Sequence, residues 1–243
     1  MKTNKFFLYL TPAFLLAEIL LYGLFLAHDL GGAHIGNATA VKYATVLLAL
    51  AFAATGFLTS AGKPGAIRDT AFLTAGLVFT AISDWFLLVR GDHFEFGLVT
   101  FLCAQTCYAV RVRLAGRLTQ KLSRVFLLLR VLLPLLLIAL LPLLGLFSLL
   151  NALVAVYFVQ LIFNLVENAV SAALPGAPEE RFRPLLLAIG FLFFIGCDIC
   201  VGLSNLAHGL GGSLIWLFYT PSQVLISLSS IRKEPHRYEN TAD

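Results

Sequence analysis

Eight long apolar stretches organise the chain, at about 6–27, 40–60, 70–90, 94–112, 125–147, 150–173, 185–206 and 212–231. Each approaches the roughly 20 residues that an α-helix needs to cross about 30 Å of hydrocarbon. None alternates with the period of two expected of a barrel strand. The pattern predicts an all-α integral membrane protein, a bundle of eight transmembrane helices. Short connections leave a single transmembrane domain over 1–231 and a short tail over 232–243. Composition agrees: 59% of residues are hydrophobic, 12% are charged, and the mean hydropathy is +0.89, which excludes an ordinary soluble domain. The first stretch follows Lys2 and Lys5 as a signal peptide would. Its length, Glu18 and the lack of a cleavage site make it a retained first span.

Lysine and arginine set the orientation. With the N-terminus inside, Lys2, Lys5, Lys63, Arg68, Arg111, Arg113, Arg117, Lys121, Arg124, Arg181, Arg183, Arg232, Lys233 and Arg237 all fall on the cytoplasmic side. Only Arg90 falls outside, and Lys42 and Arg130 lie near span ends, where they are expected to snorkel. This bias predicts both termini in the cytoplasm. It also fits a multi-pass protein of a bacterial cytoplasmic membrane. The net charge of +4 calls for no nucleic acid. The basic segment from Arg111 to Arg124 suits anionic headgroups, so membrane lipids are the expected partners and no protein partner is indicated.

Against this background the polar exceptions are informative. Asp84 and Asp198 close the same pattern, Gly76-x2-Phe79-x4-Asp84 and Gly190-x2-Phe193-x4-Asp198. A carboxylate in hydrocarbon costs several kcal/mol unless neutral, paired or hydrated, so each marks a functional site. Both segments run from inside to outside, which predicts a 4+4 parallel repeat, spans 1–4 and 5–8 related by an axis along the membrane normal. Glu18, Asp84, Gln105, Gln160, Asp198 and Gln223 all fall near mid-span and read as one polar layer. In span six, Tyr157, Gln160, Asn164, Asn168 and Ser171 line one helical face beside Glu167. That stripe reads either as interhelical glue or as a wetted wall reaching the centre from the cytoplasm. Pro134, Pro142 and Pro221 are expected to interrupt spans five and eight.

Cys103, Cys107, Cys197 and Cys200 lie within spans and read as small packing residues rather than metal ligands. His28, His34, His93 and His208 fall outside and His236 inside, without the spacing of a zinc site. No metal and no cofactor is expected.

The residues resemble the YhhN family, eight-span membrane proteins that include lysoplasmalogenases. The resemblance rests on Lys42 opening span two and Ser83-Asp84 in span three. It continues through Gly97, Phe101, Gln105 and Tyr108 in span four, Gly190, Phe193 and Cys197-Asp198 in span seven, and Tyr219 and Gln223 in span eight. The family's usual His in span four is Gln105 here, and Gln can bond but cannot titrate. The resemblance implies cleavage of the vinyl ether of a lysophospholipid substrate, lysoplasmalogen, to a fatty aldehyde and a glycerophospho-base.

That chemistry needs a carboxylic acid to protonate the β-carbon and a carboxylate to steady the cation and orient water. Asp84 and Asp198 fit these catalytic roles. Lys42, Gln105, Tyr108, Tyr157, Gln160, Asn164 and Gln223 are the expected substrate-binding residues. The bland alternative pairs Asp84 with Lys42, or bonds it to Ser83 and Thr80, and bonds Asp198 to Asn205. A small proton-coupled transporter and a non-catalytic lipid-binding member of the same fold are the competing functions.

Overall fold

In hydrocarbon every backbone donor and acceptor must be satisfied within its own segment, and the apolar stretches meet that demand as α-helices. The computed structural model describes residues 5–32, 34–206 and 212–231. Its helices are α1 (Lys5–Asp29), α2 (Ala38–Leu58), α3 (Pro64–Asp84), α4 (Phe94–Leu114), α5 (Gln120–Leu140), α6 (Leu149–Ala173), α7 (Pro178–Leu206) and α8 (Gly212–Leu228). A π-helical segment, Trp85–Arg90, extends α3. No strand occurs among the described residues. Lys2, Arg232, Lys233, Arg237, His208, His236, the side chain of Asn205 and the tail over 232–243 lie outside the described residues.

Local chemistry explains where helices start. The side chains of Asn37, Thr119 and Ser148 accept hydrogen bonds from the first-turn amides of Ala40, Leu122 and Asn151. These are N-caps that satisfy donors with no helical partner. Pro64 and Pro178 open α3 and α7, where a missing amide costs nothing. These two helices therefore begin well before their apolar runs, at 64 and 178 rather than near 70 and 185. Pro134 and Pro221 lie within helices that continue through them, and Pro142 falls in a turn beyond α5, so the expected interruptions are not breaks.

Among the described residues six helices are long and apolar enough to cross a membrane: α1, α2, α3 with its π extension, α5, α6 and α7. α8 is apolar but shorter. α4 carries Glu95, Gln105, Arg111 and Arg113, which dilute its hydropathy. The molecule is thus an all-α, multi-pass membrane protein.

Neighbouring helices close a ring, α2–α3–α4–α6–α7–α8, with α8 returning to α2. α1 packs outside, against α2 and α8, and α5 packs against α6. Leu73, Leu77, Leu161, Phe191, Phe194 and Ile226 fill the ring and are essentially inaccessible. α5 instead exposes Leu127, Leu128, Leu132, Leu135 and Leu136, as a lipid-facing helix does, and buries only Phe126, Arg130 and Pro134. Arg117 ties the connections together: it donates to the carbonyls of Ser171 and Leu174, which α6 leaves open at its C-terminus, and pairs with Glu180 at 2.8 Å.

Candidate functional site

Asp84 is the last residue of α3, just before the π-helical segment. Such irregularities re-aim side chains and recur at functional positions. Gly91 closes the segment in the left-handed region at φ 66°, its amide bonded to the carbonyl of Phe86. The Asp84 carboxylate is buried and accepts a hydrogen bond from the Tyr219 hydroxyl of α8 at 2.5 Å. Asp198, on α7 and partly exposed, accepts one from the Tyr157 hydroxyl of α6 at 2.7 Å. The two pairs form one cluster. Tyr157 and Tyr219, with Cys197, belong to one buried cluster that joins the two pairs.

The surroundings are aromatic. Phe101 stacks near Tyr157 and edge-on to Phe194, Phe194 meets Tyr219 at 5.5 Å, and Trp216 meets Tyr219 at 5.3 Å. In such a medium a hydroxyl-to-carboxylate bond is strong, while an unpaired carboxylate is costly. The structure answers that cost with phenols rather than cations.

Close packing holds α3 and α4 in register beside the cluster. The Ser83 hydroxyl donates to the Gly97 carbonyl at 2.5 Å. Gly76 lies under the Tyr108 ring, so close that a Cβ there would sit 2.4 Å from it. Tyr108 in turn reaches Thr80 at 3.4 Å. The Tyr43 hydroxyl donates to the Ala81 carbonyl at 3.2 Å, one turn before Asp84, and is near enough to feel that carboxylate. Sequence reasoning passed over Tyr43, and it weighed Tyr219 only through the resemblance.

The remaining expected site residues divide. Tyr157 joins the carboxylates, and Tyr108 packs on the α3 wall. Gln105 is fully buried and accepts from the Asn164 amide at 2.7 Å through its side-chain oxygen, while its own amide nitrogen has no partner. Gln160 and Asn164 both accept from Arg130, each at 2.7 Å. Gln160 and Asn164 of the polar stripe of α6, with Glu167 beside it, thus grip a guanidinium.

Two expectations are overturned. Arg130 does not snorkel: it is 3% exposed and donates to Glu167 at 2.8 Å, because α6 offers it a carboxylate and two amides at the same depth. Lys42 does not pair with Asp84: it pairs with Asp29 at 2.7 Å and lies over the rings of Phe25 and Trp216. Asp84 is likewise not bonded to Ser83 or Thr80, whose hydroxyls are engaged by Gly97 and Tyr108. Gln223 is buried, with neither end of its amide partnered.

A second ionic knot closes one end of the ring. Arg111 of α4 and Arg183 of α7 both donate to Asp69 of α3. Both also donate to the Ser229 carbonyl just beyond α8. Arg111 was expected in a cytoplasmic segment, yet it is 2% exposed, since Asp69 compensates its charge inside the ring. The cue was Asp69 itself, a carboxylate at the start of an apolar run.

No grouping of three or more His, Cys, Asp or Glu able to hold a metal occurs among the described residues, and all four cysteines are free. What the arrangement offers chemically is a pair of carboxyl groups among aromatic rings, each with a phenol. Such a pair can deliver and recover a proton and stabilise a developing cation.

Among curated proteins and among solved structures, nothing matches the chain. The model of the YhhN family matches residues 37–230, most of the chain, from the N-cap of α2 to the end of α8. That span holds both carboxylates and both phenols that bond them, and the chain belongs to the YhhN family.

Proposed function

We propose that this protein is a membrane-embedded hydrolase that cleaves the vinyl ether of lysoplasmalogen. The observation that carries the reading is the single cluster of Asp84, Asp198, Tyr157 and Tyr219 inside the helix ring. Family membership supports it. One carboxyl group protonates the β-carbon of the vinyl ether, giving an oxocarbenium ion at the α-carbon. Water adds to the α-carbon and gives its proton to the second carboxylate. The hemiacetal then collapses: its hydroxyl proton returns to the first carboxylate, the glycerol oxygen leaves with the proton held by the second, and the aldehyde is released with both carboxyl groups restored. Asp198, the less shielded carboxylate, meets the water, and Asp84 delivers the proton. The alkenyl chain lies among the aromatic residues of the ring.

The same proposal includes the topology. α4 and α8 cross the membrane with the other six helices, making eight spans. The basic connections α2–α3, α4–α5 and α6–α7 share the cytoplasmic side of a bacterial inner membrane, and both termini lie with them. The chain is a tandem 4+4 duplication. Asp69 and Arg183 are 114 positions apart. Pro64 and Pro178, Gly76 and Gly190, Phe79 and Phe193, and Asp84 and Asp198 share that same 114-residue offset. α4 and α8 end on it too, at Leu114 and Leu228.

Incubating the purified protein with lysoplasmalogen and measuring aldehyde tests the activity. Release is expected, to be lost by about 10²–10⁴-fold in Asp84→Asn and in Asp198→Asn. Full release from the double Asp→Asn variant would sink the mechanism. No release from folded wild-type protein would favour a proton-coupled transporter or a lipid-binding protein.

A further inference from the structure

The buried positions of α1 recur as Phe7, Phe14, Glu18 and Phe25. Glu18 thus occupies a core position on the face turned to α2 and α8, and is 3% exposed with neither carboxylate oxygen partnered. The antiparallel register with α8 is fixed from three contacts. The Phe25 ring meets Trp216 at 5.8 Å, the Tyr22 hydroxyl donates to the Leu217 carbonyl at 3.3 Å, and Phe14 shares a cluster with Val224 and Leu228. One turn on from Tyr22 and Leu217, Glu18 is level with the turn Thr220–Gln223. Thr220 and Gln223 follow Trp216 along one face of α8. Both are buried, and the Thr220 hydroxyl and both ends of the Gln223 amide have no partner. On α2 the Phe14–Phe52 stack and Lys42 near Phe25 put the small side chain of Ala49 at the same level.

We infer that Glu18, Thr220 and Gln223 form a binding site for a monovalent alkali cation of the sodium type, between α1, α2 and α8. Unpaired polar groups sealed in a protein interior are expensive, and a lone carboxylate in hydrocarbon must take up a positive charge. A proton on Glu18 supplies one donor, enough for one of the Thr220 and Gln223 oxygens and not for both. A cation accepts two carboxylate oxygens, a hydroxyl and an amide oxygen together. These are hard donors, which select hard ions. One carboxylate with two neutral ligands balances one positive charge, whereas a divalent ion would leave a net charge buried. Among the described residues no competing cation lies there: Lys42 is held by Asp29 beyond the Phe25–Trp216 pair. Pro221 sits inside the site and lacks the amide that would bond the Leu217 carbonyl, which Tyr22 takes instead.

The site has no counterpart in the other half. The position 114 residues after Glu18 is Leu132, which is exposed on α5. The inference is independent of the hydrolase reading.

Thermal unfolding of the purified full-length protein tests it, at one alkaline pH and matched ionic strength, in sodium, potassium or choline chloride. A saturable rise of roughly 3–5 °C is expected in sodium at about ten times Kd, relative to choline. Glu18→Gln, an isosteric change, is expected to fold and lose the rise, and Gln223→Leu to weaken apparent sodium affinity at least about tenfold. Equal melting in sodium and choline, or a sodium response retained in Glu18→Gln, would overturn the site. A rise in potassium alone would overturn the sodium-type assignment.

Discussion

Asp69 and Arg183 hold equivalent positions in the proposed duplication, 114 residues apart, and are ion-paired to each other. Equivalent residues that touch must lie at the axis relating their halves. In the proposed duplication the axis would pass between α3 and α7 at this knot, towards Asp84 and Asp198. Such a duplication would give a single site two carboxylates, and divergence would make one axial residue acidic and the other basic.

The charge exchange Asp69→Arg with Arg183→Asp tests this geometry. Each single change leaves like charges packed together and is expected to destabilise by about 3–5 kcal/mol. The double variant regains the pair and is expected to recover about 1–3 kcal/mol of coupling. Thermal melts of all four proteins in one detergent give the value. Strict additivity would separate the two residues in the folded state.

Arg130 and Glu167 make a second double-mutant test. Glu167 is wholly buried, with one carboxylate oxygen shared between Arg130 and Arg113. Arg130→Met leaves that carboxylate to Arg113 alone and strands the acceptors of Gln160 and Asn164, for an expected loss of about 3 kcal/mol. Changing Glu167→Met as well removes the charge and is expected to restore much of the loss. Melting temperatures decide it, and a double variant weaker than Arg130→Met would mean that the network is needed intact.

The helices were legible because hydropathy is a one-dimensional signal. Their ends were less so, since Pro64 and Pro178 start α3 and α7 inside polar sequence. Asp84 and Asp198 stood out because carboxylates are rare in hydrocarbon. Arg111 and Arg130 were misread because a cation near a span end looks the same in sequence whether it faces headgroups or a carboxylate on a neighbouring helix. Asp69 meets Arg111 where α3 packs on α4, and Glu167 meets Arg130 where α5 packs on α6. One part of the site was legible and overlooked. Tyr157 precedes Asp198 by 41 residues, and Tyr43 precedes Asp84 by the same interval.

Gly76→Ala probes the α3–α4 contact. Its Cβ would lie 2.4 Å from the Tyr108 ring, which is buried and cannot swing away. A loss of about 1–3 kcal/mol is expected. Gly23→Ala, with open space around the position, is the control and is expected to be neutral or slightly stabilising. Equal melting of the two variants would contradict the packing.

Gln105→His tests what the departure from the family pattern means. Gln105 is the position equivalent to Tyr219 in the proposed duplication, 114 residues earlier, on the side of Asp198. A histidine ring can keep an acceptor for the Asn164 amide, which Gln105 now bonds at 2.7 Å, and adds a group that titrates near neutral pH. Aldehyde release by Gln105→His is expected to equal or exceed that of the wild type, with a new dependence on pH between about 5 and 8. Tyr157→Phe and Tyr219→Phe supply the contrast. Each removes a donor to a carboxylate, and a hydrogen bond to a charged group is worth about 1.5–3 kcal/mol, so each is expected to lower turnover by roughly 10- to 100-fold. If Gln105→His falls as far as the tyrosine variants while still folded, Gln105 serves the reaction as it stands, and the histidine of the family is not what this chain has lost.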